Sequence, residues 1–91
     1  MGEFALRVLT QQKTVLTTRA TSVLIPGSEG DFQVLRNHAP TVSAIRPGRI
    51  VVDRNGARKD IEVTGGFVIV TPDRVDVLLD SGNLKGDLKP G

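Results

Sequence analysis

RIVVDRNGARKDIE, residues 49–62, carries the most specific structural instruction in the chain. Asn55-Gly56 at its centre is the dipeptide best suited to a two-residue type I′ turn, because both central positions of that turn need positive φ. Folding the stretch back about this turn sets Asp53 opposite Arg58, Ile50 opposite Ile61 and Arg49 opposite Glu62. Opposite charges and apolar partners then meet across the strands, and a slip of one residue removes all three matches. The stretch therefore predicts an antiparallel hairpin of fixed register and, with it, a β protein.

The flanking sequence extends the same pattern. Downstream, Thr64-Gly65-Gly66 interrupts the chain before Phe67-Val68-Ile69-Val70, an apolar run that predicts a strand covered on both faces. Pro72-Asp73 suits a type I turn, after which Val75, Val77 and Leu79 share one strand face and Asp76 and Asp80 the other. Upstream, Phe4, Leu6 and Val8 alternate with Ala5 and Arg7, so the first run buries one face. Further strands are predicted around 14–16, 21–25 and 32–35, the second of these ended by Pro26-Gly27. Short β-rich runs with Gly, Pro and Asn between them favour an all-β sandwich or barrel, and no helical period is sustained. Residues 81–91 contain Gly82, Gly86, Pro90 and Gly91 with only Leu84 and Leu88 to pack, which predicts one domain over 1–81 and a loose tail over 82–91.

Composition narrows the function classes. A chain of 91 residues supports one modest core. The absence of Cys removes disulfides and thiolate chemistry. Twelve Lys and Arg against ten Asp and Glu leave a net charge of +2, with the two signs interspersed as on a solvated surface. The only aromatic residues of the Phe, Tyr and Trp group are Phe4, Phe32 and Phe67, so no stacking platform accompanies the cationic cluster Arg46, Arg49, Arg54, Arg58 and Lys59. That cluster motivates an alternative, a small β-barrel binding single-stranded nucleic acid, which the missing platform disfavours. No apolar run approaches the roughly 20 residues of a membrane helix.

Catalytic and ligand-binding chemistry finds little support. His38 is the only histidine, with Asp31 and Ser43 nearby, but Thr41-Val42-Ser43-Ala44 has none of the glycines of a nucleophile elbow. One His and scattered carboxylates do not make a metal site, and no metal or cofactor is expected. Gly27-Ser28-Glu29-Gly30-Asp31 lacks the Gly-Lys-Ser/Thr ending of a phosphate loop, and its two acids repel phosphate, so a tight turn is predicted there. On residue chemistry alone the chain is a β domain whose work is interaction.

The ordered fragments Ile25-Pro26-Gly27-Ser28-Glu29-Gly30-Asp31-Phe32-Gln33-Val34-Leu35, Asn37-His38-Ala39-Pro40, Arg46-Pro47-Gly48, Val63-Thr64-Gly65-Gly66-Phe67 and Thr71 to Ser81 resemble the epsilon subunits of F-type ATP synthases. Each fragment is a weak signal, and their joint order from about residue 4 to 81 is specific. Gln33, Arg36-Asn37 and Thr41 depart from the family's usual residues. The resemblance implies a flattened two-sheet β-sandwich of about ten short strands. It further implies a non-catalytic rotor piece that docks the gamma subunit to the c-ring, couples ion flow to ATP synthesis, forms no homo-oligomer and binds no nucleic acid. Carried over by position, Ser28, Glu29, Gly30 and Asp31 face the c-ring, with Asp31 the leading acid, and His38, Val42 and Phe67 face gamma. The expected location is peripheral, on the cytoplasmic face of the bacterial inner membrane or its organellar equivalent. Because family members continue into a C-terminal helical hairpin and this chain ends at Gly91, neither an inhibitory arm nor a nucleotide site is expected.

Overall fold

In the computed structural model, which describes residues 2–80 and the backbone of residues 82–85, the Asn55-Gly56 turn forms with φ of 53° and 89°. The Gly56 N–H donates to Asp53 Oδ1 at 2.9 Å and closes the turn. The strands on either side pair with Asp53 opposite Arg58, Ile50 opposite Ile61 and Arg49 opposite Glu62, the register that charge and hydropathy predict.

Among the described residues ten strands follow in order: β1 (Phe4–Leu9), β2 (Thr14–Ala20), β3 (Ser22–Ile25), β4 (Phe32–Val34), β5 (Thr41–Ile45), β6 (Gly48–Arg54), β7 (Ala57–Val63), β8 (Gly66–Thr71), β9 (Arg74–Leu79) and β10 (Gly82–Lys85). They form two five-stranded sheets, ordered β2-β1-β9-β8-β5 and β10-β7-β6-β3-β4, which pack as a β-sandwich. The inner faces supply the core: Phe4, Leu6 and Val8 of β1 with Val75 and Val77 of β9 on one side, and Val23, Ile50 and Ile61 on the other, all at most 1% exposed. Each such side chain stabilises the fold by about 1.5–3 kcal/mol relative to leaving it in water.

Two features depart from the sequence expectations, and a third lies outside them. The run Phe67 to Val70 is not covered on both faces. Val68 and Val70 are buried, whereas Phe67 is 56% and Ile69 39% exposed. β8 belongs to a sheet packed on the core by one face only, so the strand alternates despite its unbroken apolar sequence. Next, the predicted tail begins too early. Residues 82–85 add to the free edge of β7 as an antiparallel strand, with Leu84 opposite Ile61, and so satisfy backbone groups that β7 would otherwise leave unpaired. The rest of the predicted tail, 86–91, lies outside the described residues. Lastly, β1 runs parallel to β9, Ala5 to Leu9 beside Arg74 to Leu78, and joins the first strand of the chain to the closing hairpin.

A carboxylate ties the two sheets at one end. Glu3, just before β1, accepts from Arg54 Nε at 3.1 Å and Asn55 Nδ2 at 3.3 Å on the β6–β7 hairpin, and from Arg19 Nε at 3.3 Å on β2. The Arg54 hydrogen bond, helped by the Arg54 and Arg19 charges, lowers the Glu3 pKa below its ordinary value. A carboxyl whose pKa is depressed by folding contributes stability above its unfolded pKa and loses it as pH falls through the folded one. Urea midpoints measured from about pH 6 to about pH 3 should therefore fall less steeply in Glu3→Gln than in the parent chain. Parallel profiles would show that the cluster adds nothing to folding.

Candidate docking surfaces

The alternation that buries Val68, Val70, Val75, Val77 and Leu79 turns their neighbours outward onto the free face of the β2-β1-β9-β8-β5 sheet. Strand register lines these neighbours up in two rows. One row runs Ala44, Phe67, Leu78, Leu9 across β5, β8, β9 and β1, and the next runs Val42, Ile69, Asp76, Arg7 across the same strands. Val42 is 73%, Phe67 56%, Leu78 42% and Ile69 39% exposed, so four large apolar side chains on adjacent strands meet solvent together. Scattered exposed apolar residues are ordinary, whereas these four are neighbours on one sheet face. At the strand ends beside Phe67, a cavity of about 350 Å³ is lined by Leu9, Thr10, Gln11, Phe67, Leu78, Leu79 and Asp80.

Two of the three predicted gamma-facing residues thus share one face, because Ala44 pairs with Phe67 and Val42 with Ile69. His38 stands apart in the connection between β4 and β5. Its Nδ1 lies 2.7 Å from the Ala39 carbonyl, which accepts from the ring, and its ring tilts against Phe32 at 6.2 Å between centroids. Ile69 and Leu78 belong to the surface and were missed from sequence. Parity identifies them only once the sheet is known to be packed on one face: with 68, 70, 75, 77 and 79 inside, 67, 69 and 78 then face out.

The second surface is the turn between β3 and β4. Gly30 N–H donates to the Gly27 carbonyl at 3.0 Å, and Ser28 N–H reaches across to the Ala44 carbonyl of β5 at 2.9 Å. Gly27 is held where a Cβ would come within 2.6 Å of the Gly30 carbonyl and 2.9 Å of the Phe32 ring, so this close turn requires glycine. Ser28, Glu29, Gly30 and Asp31 are all exposed. The two acids differ in setting. Asp31 pairs with Arg46, whereas Glu29 takes part in none of the ion pairs found among the described residues.

Groups that a catalytic or nucleic-acid site would need are otherwise engaged. Ser43 Oγ donates to the Ala44 carbonyl at 2.9 Å, His38 bonds to its neighbouring carbonyl, and Asp31 is taken by Arg46, so a Ser-His-Asp arrangement is not assembled. Among the described residues no group of three or more His, Asp and Glu side chains is placed to hold a metal ion. Three of the five residues of the basic cluster are paired, Arg46 with Asp31, Arg49 with Asp60 at 3.4 Å and Arg54 with Glu3 at 3.1 Å. A phosphate backbone would have to displace these carboxylates.

The geometry defines a class: a two-sheet β-sandwich that exposes one apolar face and one acidic turn and assembles no reaction centre among its described residues. Residues 3–84 match the family described as the ATP synthase Delta/Epsilon chain beta-sandwich domain, and the chain belongs to that family. Its members are non-catalytic subunits of the complex. The chain is 38% identical over 85 residues to the ATP synthase epsilon chain of Symbiobacterium thermophilum, covering 92% of this chain and 61% of that protein. It is 40% identical over 80 residues to the epsilon chain of Desulfitobacterium hafniense, covering 88% and 61%. The chain thus spans about three-fifths of the length of these curated relatives. In fold it matches a chain in the cryo-EM structure of the Euglena gracilis mitochondrial ATP synthase (OSCP/F1/c-ring) with a TM-score of 0.86 and 24% identity, over 92% of this chain and 54% of the other. A chain of the Tetrahymena thermophila mitochondrial ATP synthase central stalk and c-ring matches with a TM-score of 0.75 and 15% identity, over 88% and 65%.

Proposed function

We propose that the chain works as a rotor component of an F-type ATP synthase, docking the gamma subunit to the c-ring and coupling the movement of protons or sodium ions to ATP synthesis. The observation that carries this reading is the exposed group Val42, Phe67, Ile69 and Leu78 on a sheet face that no layer of the described residues covers. Gamma covers this face, with Val42 and Phe67 as anchors and His38 at its margin. A sandwich tied by two five-stranded ladders is stiff, and stiffness is what a part that transmits torque without doing bond chemistry needs. The Ser28-Glu29-Gly30-Asp31 turn meets polar loops of the c-ring, where acids pair with basic groups and give orientation more than raw affinity. In this arrangement the chain is peripheral to the membrane, on the cytoplasmic face in a bacterium.

The different settings of the two acids separate their roles. Glu29 meets the ring directly, while Asp31 holds the turn through Arg46 and shares its charge with the ring. Glu29→Lys should lower c-ring association roughly tenfold and reduce proton-driven ATP synthesis while leaving gamma binding within about twofold. Asp31→Lys should do the same and also loosen the turn, since it sets two cations against each other. Pull-downs on c-ring and on gamma, run with the same variants, check this, and unchanged coupling in both variants would remove the turn from the c-ring contact.

A further inference from the structure

The apolar face carries an uneven charge. In the five strands of the β2-β1-β9-β8-β5 sheet the charged residues are Arg7, Arg19, Arg74 and Asp76, three cations to one anion. Arg19 is satisfied by Glu3. Arg7 and Arg74 share the single carboxylate of Asp76, each Nε 3.3 Å from a different oxygen. Asp76 is largely covered, its side chain 12% exposed, whereas those of Arg7 and Arg74 are 50% and 58% exposed. Two guanidiniums thus stand over one carboxylate with most of their donors turned to solvent. Strand register places this group directly beside the apolar rows, since Asp76 pairs with Ile69 and Ile69 with Val42.

We infer that the partner seated on this face presents a carboxylate to Arg7 and Arg74, next to the apolar side chains that cover Val42, Phe67 and Ile69. The inference rests on the docking role proposed above and adds the chemistry of the partner. The occupant is a gamma-subunit segment that carries an Asp or Glu within an apolar stretch. Charge complementarity makes the case. The apolar side chains supply area without direction, and a net positive pair at one margin fixes which way round the partner lies. Asp76 sets the strength of the pair, because it neutralises one of the two cations and holds both guanidiniums in place. A second copy of this chain is a poorer occupant, because within the strands of the face Asp76 is the one carboxylate and already has two arginines, while the exposed Asp80 stands past the end of β9 beside Phe67, away from Arg7 and Arg74.

The test measures binding of the purified F1 gamma subunit by calorimetry at low and high salt, with melting curves confirming that each variant folds. Arg7→Gln with Arg74→Gln should weaken binding about tenfold at low salt and flatten its salt dependence. Asp76→Asn, nearly isosteric, leaves both arginines uncompensated and should tighten binding several-fold at low salt, a gain lost at high salt. A side chain with only a structural role would give the opposite sign or no change. Should Asp76→Asn not fold, the neutral triple variant Arg7→Gln, Arg74→Gln, Asp76→Asn carries the same expected loss of salt dependence. Unchanged affinity in the arginine variants, while Val42→Asp abolishes binding, overturns the inference and leaves the docking reading intact. If Val42→Asp is also without effect, the docking reading itself falls. A concentration-dependent dimer abolished by Val42→Asp would assign the face to a second copy and overturn the inference as well.

Discussion

Phe67→Asp combined with Val42→Asp should abolish measurable binding to gamma, lowering affinity at least about 100-fold, while the sandwich stays folded. Both side chains point away from the core, with 56% and 73% of their surfaces exposed, so the isolated chain has little packing to lose. Exposed strand positions tolerate substitution within about 1 kcal/mol. In the proposed complex Phe67 lies at the centre of the exposed apolar group and Val42 heads its row on the edge strand β5. Truncating a buried aromatic anchor at such a centre costs about 2 kcal/mol or more, and a charge placed there must also be desolvated without a partner. Calorimetric titration against gamma, beside a urea unfolding curve, separates the two effects. A folded double variant that binds as tightly as the parent would move the gamma contact to some other face.

Gly66→Ala should show the reverse pattern, a loss of about 3 kcal/mol or more of folding stability, with docking lost only as a consequence. Gly66 opens β8 at φ 148°, a conformation that side-chain-bearing residues seldom adopt. A Cβ there would lie 2.1 Å from the Leu78 carbonyl oxygen and 2.9 Å from Leu79 Cα. Those are backbone atoms of the neighbouring strand, which cannot rotate aside as the end of a side chain can. Relief requires prying β8 from β9 where Phe67 pairs with Leu78, so the clash also disturbs the docking face. Since whole domains are stable by only about 5–15 kcal/mol, urea titration should register the change readily. A loss below about 1 kcal/mol would show that the strand ends adjust freely.

The parts of the fold legible from sequence were those set by local chemistry. Asn55-Gly56 dictated positive φ, and the charges at Arg49, Asp53, Arg58 and Glu62 left one register open to β6 and β7. Alternation placed Phe4, Leu6, Val8, Val75, Val77 and Leu79 in the core. What escaped depended on which strands lie side by side. The sequence of β8 is equally apolar at inward and outward positions, and only its place in a one-side-covered sheet shows that Phe67 and Ile69 meet solvent. Likewise, the glycines around residues 82–86 pointed away from a strand, and the vacant edge of β7 recruited Gly82–Lys85 nonetheless.

The candidate surfaces divide in the same way. The 27–31 turn was readable because Gly and Pro punctuate it, but its acids are distinguished by Arg46, 15 positions from Asp31, and no local pattern links those two. Val42 and Phe67 came from family resemblance, and their contact across β5 and β8 rests on register. The Arg7, Asp76 and Arg74 cluster joins the first strand to the ninth, an association that follows from the parallel β1–β9 pair and was absent from every local pattern.

The most direct test of a rotor role is reconstitution of the tagged chain with gamma and a detergent-solubilised c-ring, followed by affinity capture and native mass spectrometry. A ternary complex with one copy of the chain per gamma, in which the Phe67→Asp, Val42→Asp pair loses gamma and Glu29→Lys loses the ring, is the predicted result. A folded chain that captures neither partner would contradict the account.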